Sequence, residues 1–273
     1  MTRLVGTQMY PWTQYREREG RKLDDTLGEA FEEARSAGLD AWEHAAMNAD
    51  EVETFARLAL KHGLAMRSLY TGSHLHDSDR VVAELDRLAE LAVACSANGI
   101  TILTTNPDPV DWNTEQNKDD AQLRRQAYSL NQAVERCAAS SVTLAYHVHA
   151  PEFRAGAREF HHMLLAVPDL AFCLDTHWLY TGCGFSNVAL QDLVDLYADR
   201  VVSLHLRQSH GHVWSQTLGE GDLNHQPVFD RLRAVGFEGP VFFEAALQDA
   251  TPMEHSVVEA HRRSADWLRA SFP

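Results

Sequence analysis

Four strand-like segments in the second half of the chain each end in a side chain that can bind a metal or transfer a proton. Each segment begins with apolar β-forming residues, and the polar endings are, in chain order, His147 with His149, Asp175, His205 and Glu244. Carboxylate oxygens combined with imidazole nitrogens suit one divalent ion, Mn²⁺, Co²⁺, Mg²⁺ or Zn²⁺, with coordination positions left for substrate or water. The pattern therefore predicts a metal-dependent enzyme in which Asp175, His205 and Glu244 supply three ligands.

The fourth ligand is expected from the fifth predicted strand or from the loop that follows it. This segment, residues 146–153, contains His147, His149 and Glu152. The two histidines are two residues apart, so they lie on one face while the strand lasts. Glu152 comes just after the strand, in the kind of loop from which barrel enzymes build their active sites. The residue pattern alone leaves all three side chains as candidates.

The rest of the sequence predicts the elements that position these groups. Apolar runs predict eight strands, at residues 4–9, 39–43, 64–69, 100–103, 142–147, 172–175, 201–205 and 241–244. Helical periodicity predicts eight helices, at residues 24–37, 48–63, 78–99, 119–139, 158–166, 188–197, 227–235 and 255–270. This alternation predicts an α/β protein, a (β/α)8 TIM barrel that forms one domain over residues 1–273. An open doubly wound sheet is the alternative, although no Gly-rich phosphate loop follows the first strand.

Composition restricts the expected partners and compartment. The chain has 24 Lys and Arg against 39 Asp and Glu, a formal net charge of -15, which repels phosphate backbones and anionic lipid surfaces. The four cysteines form no CxxC pair, which indicates reduced thiols. Neither a signal-peptide pattern nor a run of about 18 apolar residues is present. We therefore expect a cytoplasmic protein that binds neither nucleic acid nor membranes, with homo-oligomerisation left open.

Two segments after the fourth predicted strand carry motif-like patterns. Residues 146–153 read Tyr-His-Val-His-Ala-Pro-Glu-Phe, which is similar to a Y-H-N-H-x-x-E-F signature with Val148 in place of asparagine. Residues 174–178 read Leu-Asp-Thr-His-Trp and are followed by Gly182 and Gly184, which resembles a D-T-x-W…G segment. Both signatures are found in one family of metal-dependent barrels.

Three further segments strengthen the resemblance. The predicted strand ending near residue 207 is similar to a v-H-l-K-D pattern, although Arg207 and Gln208 replace its lysine and aspartate. Residues 219–222 match a G-E-G-D turn, and Glu244 matches a closing-strand glutamate. The chain thus resembles the sugar-phosphate isomerase/epimerase superfamily, the xylose-isomerase-like TIM barrels, in a branch related to inosose dehydratase.

The resemblance implies a set of metal ligands. Members of this superfamily typically hold the metal with two Glu, one Asp and one His, which corresponds here to Glu152, Asp175, His205 and Glu244. His147 stands where many relatives have a glutamate, so His147 in place of Glu152 is the alternative ligand. If Glu152 is the ligand, His147 is expected to contact the substrate.

The resemblance also implies removal of a proton beside a sugar carbonyl. Histidine titrates near neutrality, so His149 is the first candidate for the base and His177 is the second. Glu43, at the end of the second strand, is expected to hydrogen-bond a substrate hydroxyl or to act as a second acid or base. Arg207 is expected to bind a substrate oxygen or phosphate, or else to form a structural ion pair. Trp178 is expected to stack on the sugar, with ordinary packing as the alternative.

We therefore predict a divalent-metal-dependent sugar isomerase or epimerase that acts on a keto sugar or polyol through an enediolate. The alternative is a metal-dependent lyase or dehydratase of the inosose or 3-keto-glycoside type, because it shares the enediolate step. An endonuclease IV-like nuclease would need a basic groove, and the charge of -15 opposes it. A non-catalytic binding subunit is the remaining alternative. The expected partner is a small carbohydrate substrate.

Overall fold

The computed structural model describes residues 3–273, within which eight parallel strands close into one barrel. Each strand pairs with its neighbours in chain order, and the last strand pairs with the first. The strands are β1 (Val5–Gln8), β2 (Ala41–Ala45), β3 (Ser68–Ser73), β4 (Ile102–Pro107), β5 (Thr143–Tyr146), β6 (Ala171–Asp175), β7 (Val201–Leu206) and β8 (Val241–Phe243). The predicted (β/α)8 barrel is confirmed, and the alternative of an open sheet is wrong.

The helices connect successive strands. Within residues 3–273 they are α1 (Met9–Arg18), α2 (Leu27–Ser36), α3 (Ala49–Lys61), α4 (Val81–Ala97), α5 (Asp120–Ala138), α6 (Arg154–Ala166), α7 (Thr176–Gly182), α8 (Asn187–Tyr197), α9 (His225–Ala234) and α10 (Val257–Ser271). A small antiparallel hairpin, Ser209–His210 with Val213–Trp214, follows β7. None of the helices in this part of the chain is long and apolar enough to cross a bilayer.

Two of these helices, α1 and α7, were not predicted from the sequence. Both begin directly at the end of a strand, and side chains from those strands cap them. Gln8 accepts a hydrogen bond from the backbone N–H of Tyr10, and Asp175 accepts one from the backbone N–H of Trp178. Such a cap satisfies one of the free N–H groups of the first turn. The caps therefore fix the start of two helices that lie at the carboxyl end of the barrel.

The strands β3 and β4 lie later in the chain than predicted. The predicted segments 64–69 and 100–103 overlap the observed strands but begin and end too early, because both strands continue into polar residues. Hydroxyl groups pair between the two strands on both faces of the sheet: Ser68 Oγ lies 3.0 Å from Thr104 Oγ1, and Thr105 Oγ1 donates to Ser73 Oγ at 3.1 Å. A pattern based on apolar residues cannot find the parts of a strand whose buried side chains are polar and paired.

Two tryptophans near strand ends form packing contacts in the core. Trp12 of α1 and Trp42 of β2 are completely buried, with ring centroids 5.6 Å apart. Trp12 Nε1 donates to Thr7 Oγ1 at 3.1 Å, and Trp42 Nε1 donates to His44 Nδ1 at 2.9 Å. Because both N–H groups are satisfied within the core, these rings fasten α1 to the barrel. This attachment places the first residues of α1 beside the carboxyl ends of the strands.

Candidate active site

Four side chains from consecutive strand ends meet at the carboxyl end of the barrel. His147 follows β5, Asp175 ends β6, His205 lies in β7 and Glu244 follows β8. One nitrogen or oxygen atom from each lies within 4.8 Å of the others, and all four residues are buried. Strand pairing sets the arrangement, because Asp175 is in register with His205 across β6 and β7. Three of these residues are the ligands expected from the strand endings.

The four side chains leave several polar atoms without partners. His147 Nε2 lies 3.9 Å from Asp175 Oδ2 and 3.8 Å from Glu244 Oε2, too far for hydrogen bonds. Both ring nitrogens of His147 and Oδ2 of Asp175 are buried with no hydrogen-bond partner in the described chain. Burying such atoms unpaired costs free energy, which a divalent ion between them would offset. The donor set of two imidazoles and two carboxylates therefore fits the expected metal.

Glu152, the fourth ligand implied by the family resemblance, makes other contacts. Its Oε2 accepts a hydrogen bond from the backbone N–H of His149 at 2.7 Å, and Oε1 accepts one from Asn106 Nδ2 at 3.4 Å. The residue belongs to a short 3₁₀ helix, Ala150–Phe153, that turns it away from the strand direction. Burial, with a neighbouring carboxylate, raises the pKa of Glu152 to about 8. The structure thus brings His147, and not Glu152, into the four-residue cluster.

Arg207 forms a buried ion pair with Glu244. Its Nε donates to the backbone carbonyl of Glu244 at 2.6 Å, and its Nη2 donates to Oε1 at 2.7 Å. The guanidinium also lies over the Trp214 ring, 4.0 Å from the centroid. Burial would raise the pKa of Glu244, but Arg207 and His205 lower it by more, so this pKa is well below its usual range. Arg207 Nη1 is buried with no hydrogen-bond partner in the described chain.

Glu43 lies behind the cluster and does not line the cavity. It is completely buried in β2, with Oε2 2.9 Å from Nε2 of His205, although the two groups are not aligned as a hydrogen bond. His205 Nδ1 lies on the other side of the ring, 3.0 Å from Glu244 Oε2. A carboxylate beside the distal nitrogen of a metal-binding histidine holds the ring in orientation. The structure therefore places Glu43 against His205, outside the cavity lining.

The two histidines predicted as bases occupy different positions. His149 lines the cavity, with its ring centroid 4.8 Å from that of His147 and 5.3 Å from that of Trp178. His177 is buried in α7, 6.0 Å from Trp214 between ring centroids, and does not line the cavity. Burial lowers the pKa of His149 to about 3 and that of His177 to about 4, so both rings are neutral at pH 7. Of the two, only His149 has direct access to a molecule in the cavity.

An open cavity of about 600 Å³ lies above the cluster. Its lining comprises Gln8, Met9, Tyr10, Ala45, Tyr70, Trp112, His147, His149, Ala150, Pro151, Trp178, His205, Arg207, Trp214 and Glu244. Trp178 is in this lining, as predicted for a side chain that stacks on substrate. Tyr10, Tyr70 and Trp112 were not predicted as lining residues. Tyr10 belongs to the unpredicted helix α1, and Tyr70 lies beyond the predicted end of β3. The side chain of Trp112 lies in a loop whose sequence carries no regular pattern.

Comparisons with known proteins agree with this architecture. The family model described as xylose isomerase-like TIM barrel matches residues 31–271. Among curated proteins, none is significantly similar to this chain. Because the family model covers most of the chain, it identifies the family independently of the solved structures.

Several solved structures share the fold at low sequence identity. A sugar phosphate isomerase/epimerase from Parabacteroides distasonis has a TM-score of 0.75 and 15% identity, covering 99% of this chain and 95% of that chain. A 3-keto-D-glucoside 4-epimerase from E. coli has a TM-score of 0.69 and 16% identity, with coverages of 98% and 100%. A xylose isomerase-like TIM barrel protein from Mycobacterium smegmatis in complex with magnesium has a TM-score of 0.74 and 13% identity, with coverages of 99% and 97%. With the family-model match, these folds show that the chain belongs to the xylose isomerase-like TIM barrel family.

Proposed function

We propose that this protein is a divalent-metal-dependent enzyme that isomerises or epimerises a keto sugar or polyol through an enediolate. The observation that carries the proposal is the convergence of His147, Asp175, His205 and Glu244 at the floor of an open cavity, with buried atoms left unpaired. In TIM-barrel enzymes this end of the barrel holds the active site. The sugar class is supported by the isomerase and epimerase names of the similar structures.

In this proposal His147, Asp175, His205 and Glu244 hold one divalent ion. Two imidazoles in the set favour Mn²⁺, Co²⁺ or Zn²⁺ over Mg²⁺, which prefers oxygen ligands and water. When bound, the ion would polarise a substrate carbonyl and an adjacent hydroxyl and so lower the cost of negative charge on the enediolate. Arg207 Nη1, which has no partner in the described chain, is placed to donate to a further substrate oxygen.

His149 is the proposed base. Its ring is neutral at pH 7, lines the cavity and lies beside the His147 ring, so a substrate over the cluster would present a carbon-bound proton to it. A developing negative charge on the substrate would stabilise the imidazolium that forms, since opposite charges at short range raise a histidine pKa. Trp178, whose ring lies beside that of His149, would stack on the sugar ring.

A metal-dependent lyase acting on an inosose or a 3-keto-glycoside is the second candidate, and one observation favours it. Among the described cavity-lining residues, His149 is the one imidazole or carboxylate outside the proposed ligand set. Epimerisation returns the proton to the opposite face and so needs a donor there, whereas β-elimination needs a base on one face only. Glu43, which was expected as a second acid or base, lies behind His205.

Proton NMR in D₂O would test both candidates with metal-loaded protein and a panel of ketoses and 3-keto-glycosides. Deuterium exchange at carbon with no loss of a substituent would support the isomerase or epimerase, and an unsaturated ketone would support the lyase. We expect His149→Gln to abolish exchange while metal content by elemental analysis stays at about one ion per chain. His177→Gln is the matched control and should retain exchange. Absence of exchange and elimination with every substrate would overturn the proposal.

A further inference from the structure

We propose that the substrate carries a flat apolar group on its sugar or polyol, so that this site accepts a glycoside in preference to a free or phosphorylated sugar. The inference rests on the proposed function, because it assumes that the sugar part lies over the four-residue cluster. It is carried by the distribution of polarity in the cavity and by the aromatic side chains at its mouth.

The cavity changes from polar to apolar between its floor and its mouth. The charged and imidazole groups His147, His205, Glu244 and Arg207 are buried at the floor. Most of the remaining lining consists of aromatic or aliphatic side chains, among them Met9, Tyr70, Pro151, Trp178 and Trp214. A cavity of about 600 Å³ is in the range that holds a drug-sized ligand and is larger than one sugar ring requires. A wholly hydroxylated ligand would leave its outer part against apolar walls.

The mouth presents two large aromatic side chains to solvent. Tyr10 is 48% exposed and Trp112 is 54% exposed, and both line the cavity. The indole of Trp112 stands edge-to-face with the ring of His149, with centroids 5.4 Å apart, so it lies next to the proposed base. Exposed apolar surface that continues a ligand cavity marks a place where a ligand or partner removes it from water. A planar substituent projecting from the sugar would cover both rings.

The same cavity has few groups that could bind a phosphate. Among the described lining residues Arg207 is the one lysine or arginine, and its Nε and Nη2 are already bonded to Glu244. Helix N-termini, the other common phosphate sites, are occupied here: Gln8 caps α1 and Asp175 caps α7. A phosphate would therefore find mainly the unpartnered Nη1 amino group of Arg207 in a protein of net charge -15.

Titration calorimetry with matched phenyl and methyl glycosides would test the inference. We would compare both glycosides, the free sugar and its 6-phosphate, for glucose, galactose and mannose, using the metal-loaded protein. At least one phenyl glycoside should bind about ten-fold more tightly than its methyl partner, which corresponds to about 1.4 kcal/mol. Trp112→Ala should reduce that ratio to near one. Tyr128→Ala, which removes an exposed aromatic side chain on α5 outside the cavity, should leave it unchanged.

Three results would overturn the inference: equal affinity for phenyl and methyl glycosides, tighter binding of a sugar phosphate, or no measurable binding of any phenyl glycoside. A phenyl preference that survives in Trp112→Ala would also refute the assigned position. The exchange experiment in D₂O separates this result from the proposed reaction. Tighter binding of the phenyl glycoside without deuterium exchange in the corresponding 3-keto-glycoside would support the aromatic subsite and refute the proposed reaction. Deuterium exchange without tighter binding of the phenyl glycoside would support the reaction and refute the subsite.

Discussion

Replacing Arg207 with methionine is expected to lower the free energy of unfolding of the metal-free protein by about 3–5 kcal/mol, the usual cost of leaving a buried charge without its partner. Arg207 is buried and bonds to Glu244 through Nε and Nη2 at 2.6 and 2.7 Å, so the substitution leaves that carboxylate inside the barrel beside Asp175. Methionine keeps the apolar stem of the side chain, which limits the loss of packing.

The size of the effect in a thermal melt follows from the chain length. An unfolding entropy of about 2.1 cal/mol/K per residue over 273 residues converts the loss into a decrease in Tm of about 5–9 °C. Differential scanning calorimetry of metal-free protein at pH 7 would measure it. The double variant Arg207→Met with Glu244→Gln should recover part of the decrease in Tm, because it no longer buries a carboxylate that has lost its arginine.

The direction of the pH dependence gives a further check. In the wild type the pKa of Glu244 is well below its usual range, so the stability that the pair contributes is lost as the pH falls towards that low value. Arg207→Met removes the largest cause that lowers the pKa of Glu244, so this pKa should be higher than in the wild type, and the loss of stability relative to wild type should shrink at acid pH. A Tm for Arg207→Met within 2 °C of wild type, or a double variant whose losses simply add, would refute this reasoning.

Three other predictions concern the ligand set, a buried acid and a glycine. Elemental analysis should find that His147→Gln loses the metal and Glu152→Gln keeps it; loss in both variants would contradict the proposed ligands. Burial raises the pKa of Glu152 to about 8 from 4.5, so wild-type stability should fall as pH rises through that interval, and melts of Glu152→Gln should lack this fall. Gly221→Ala should cost about 1–3 kcal/mol in urea unfolding, because its Cβ would lie 2.6 Å from the Ser209 carbonyl oxygen; the control Gly28→Ala, in ordinary contact on α2, should not destabilise the protein.

The sequence was sufficient to locate Asp175, His205 and Glu244, because apolar runs identify parallel strands and a barrel collects the groups at their carboxyl ends. It was not sufficient to choose between His147 and Glu152. His147 still follows the direction of β5, whereas the chain turns into a 3₁₀ helix from Ala150 onward, and the carboxylate reaches back to the His149 N–H. A change of backbone direction within three residues has no periodic signal in the sequence.

Other misses have the same physical origin. The polar ends of β3 and β4 were left outside the predicted strands, because the hydroxyl pairs between these strands cannot be foreseen from hydrophobicity. The helix α1 has too weak an apolar stripe to be predicted, and it is held by the packing of Trp12 on Trp42. Its omission hid the contribution of Tyr10 to the cavity mouth.

The buried positive charge of Arg207 allows the barrel to fold before any metal ion binds. Small zinc domains stay unfolded until the ion arrives, since nothing else gathers their ligands. Here Arg207 neutralises Glu244 within the barrel, while burial and the Glu244 charge raise the pKa of Asp175. On the proposed function, the chain would therefore stay folded without its ion. Its activity in a cell would then follow the free concentration of that ion, with no new synthesis.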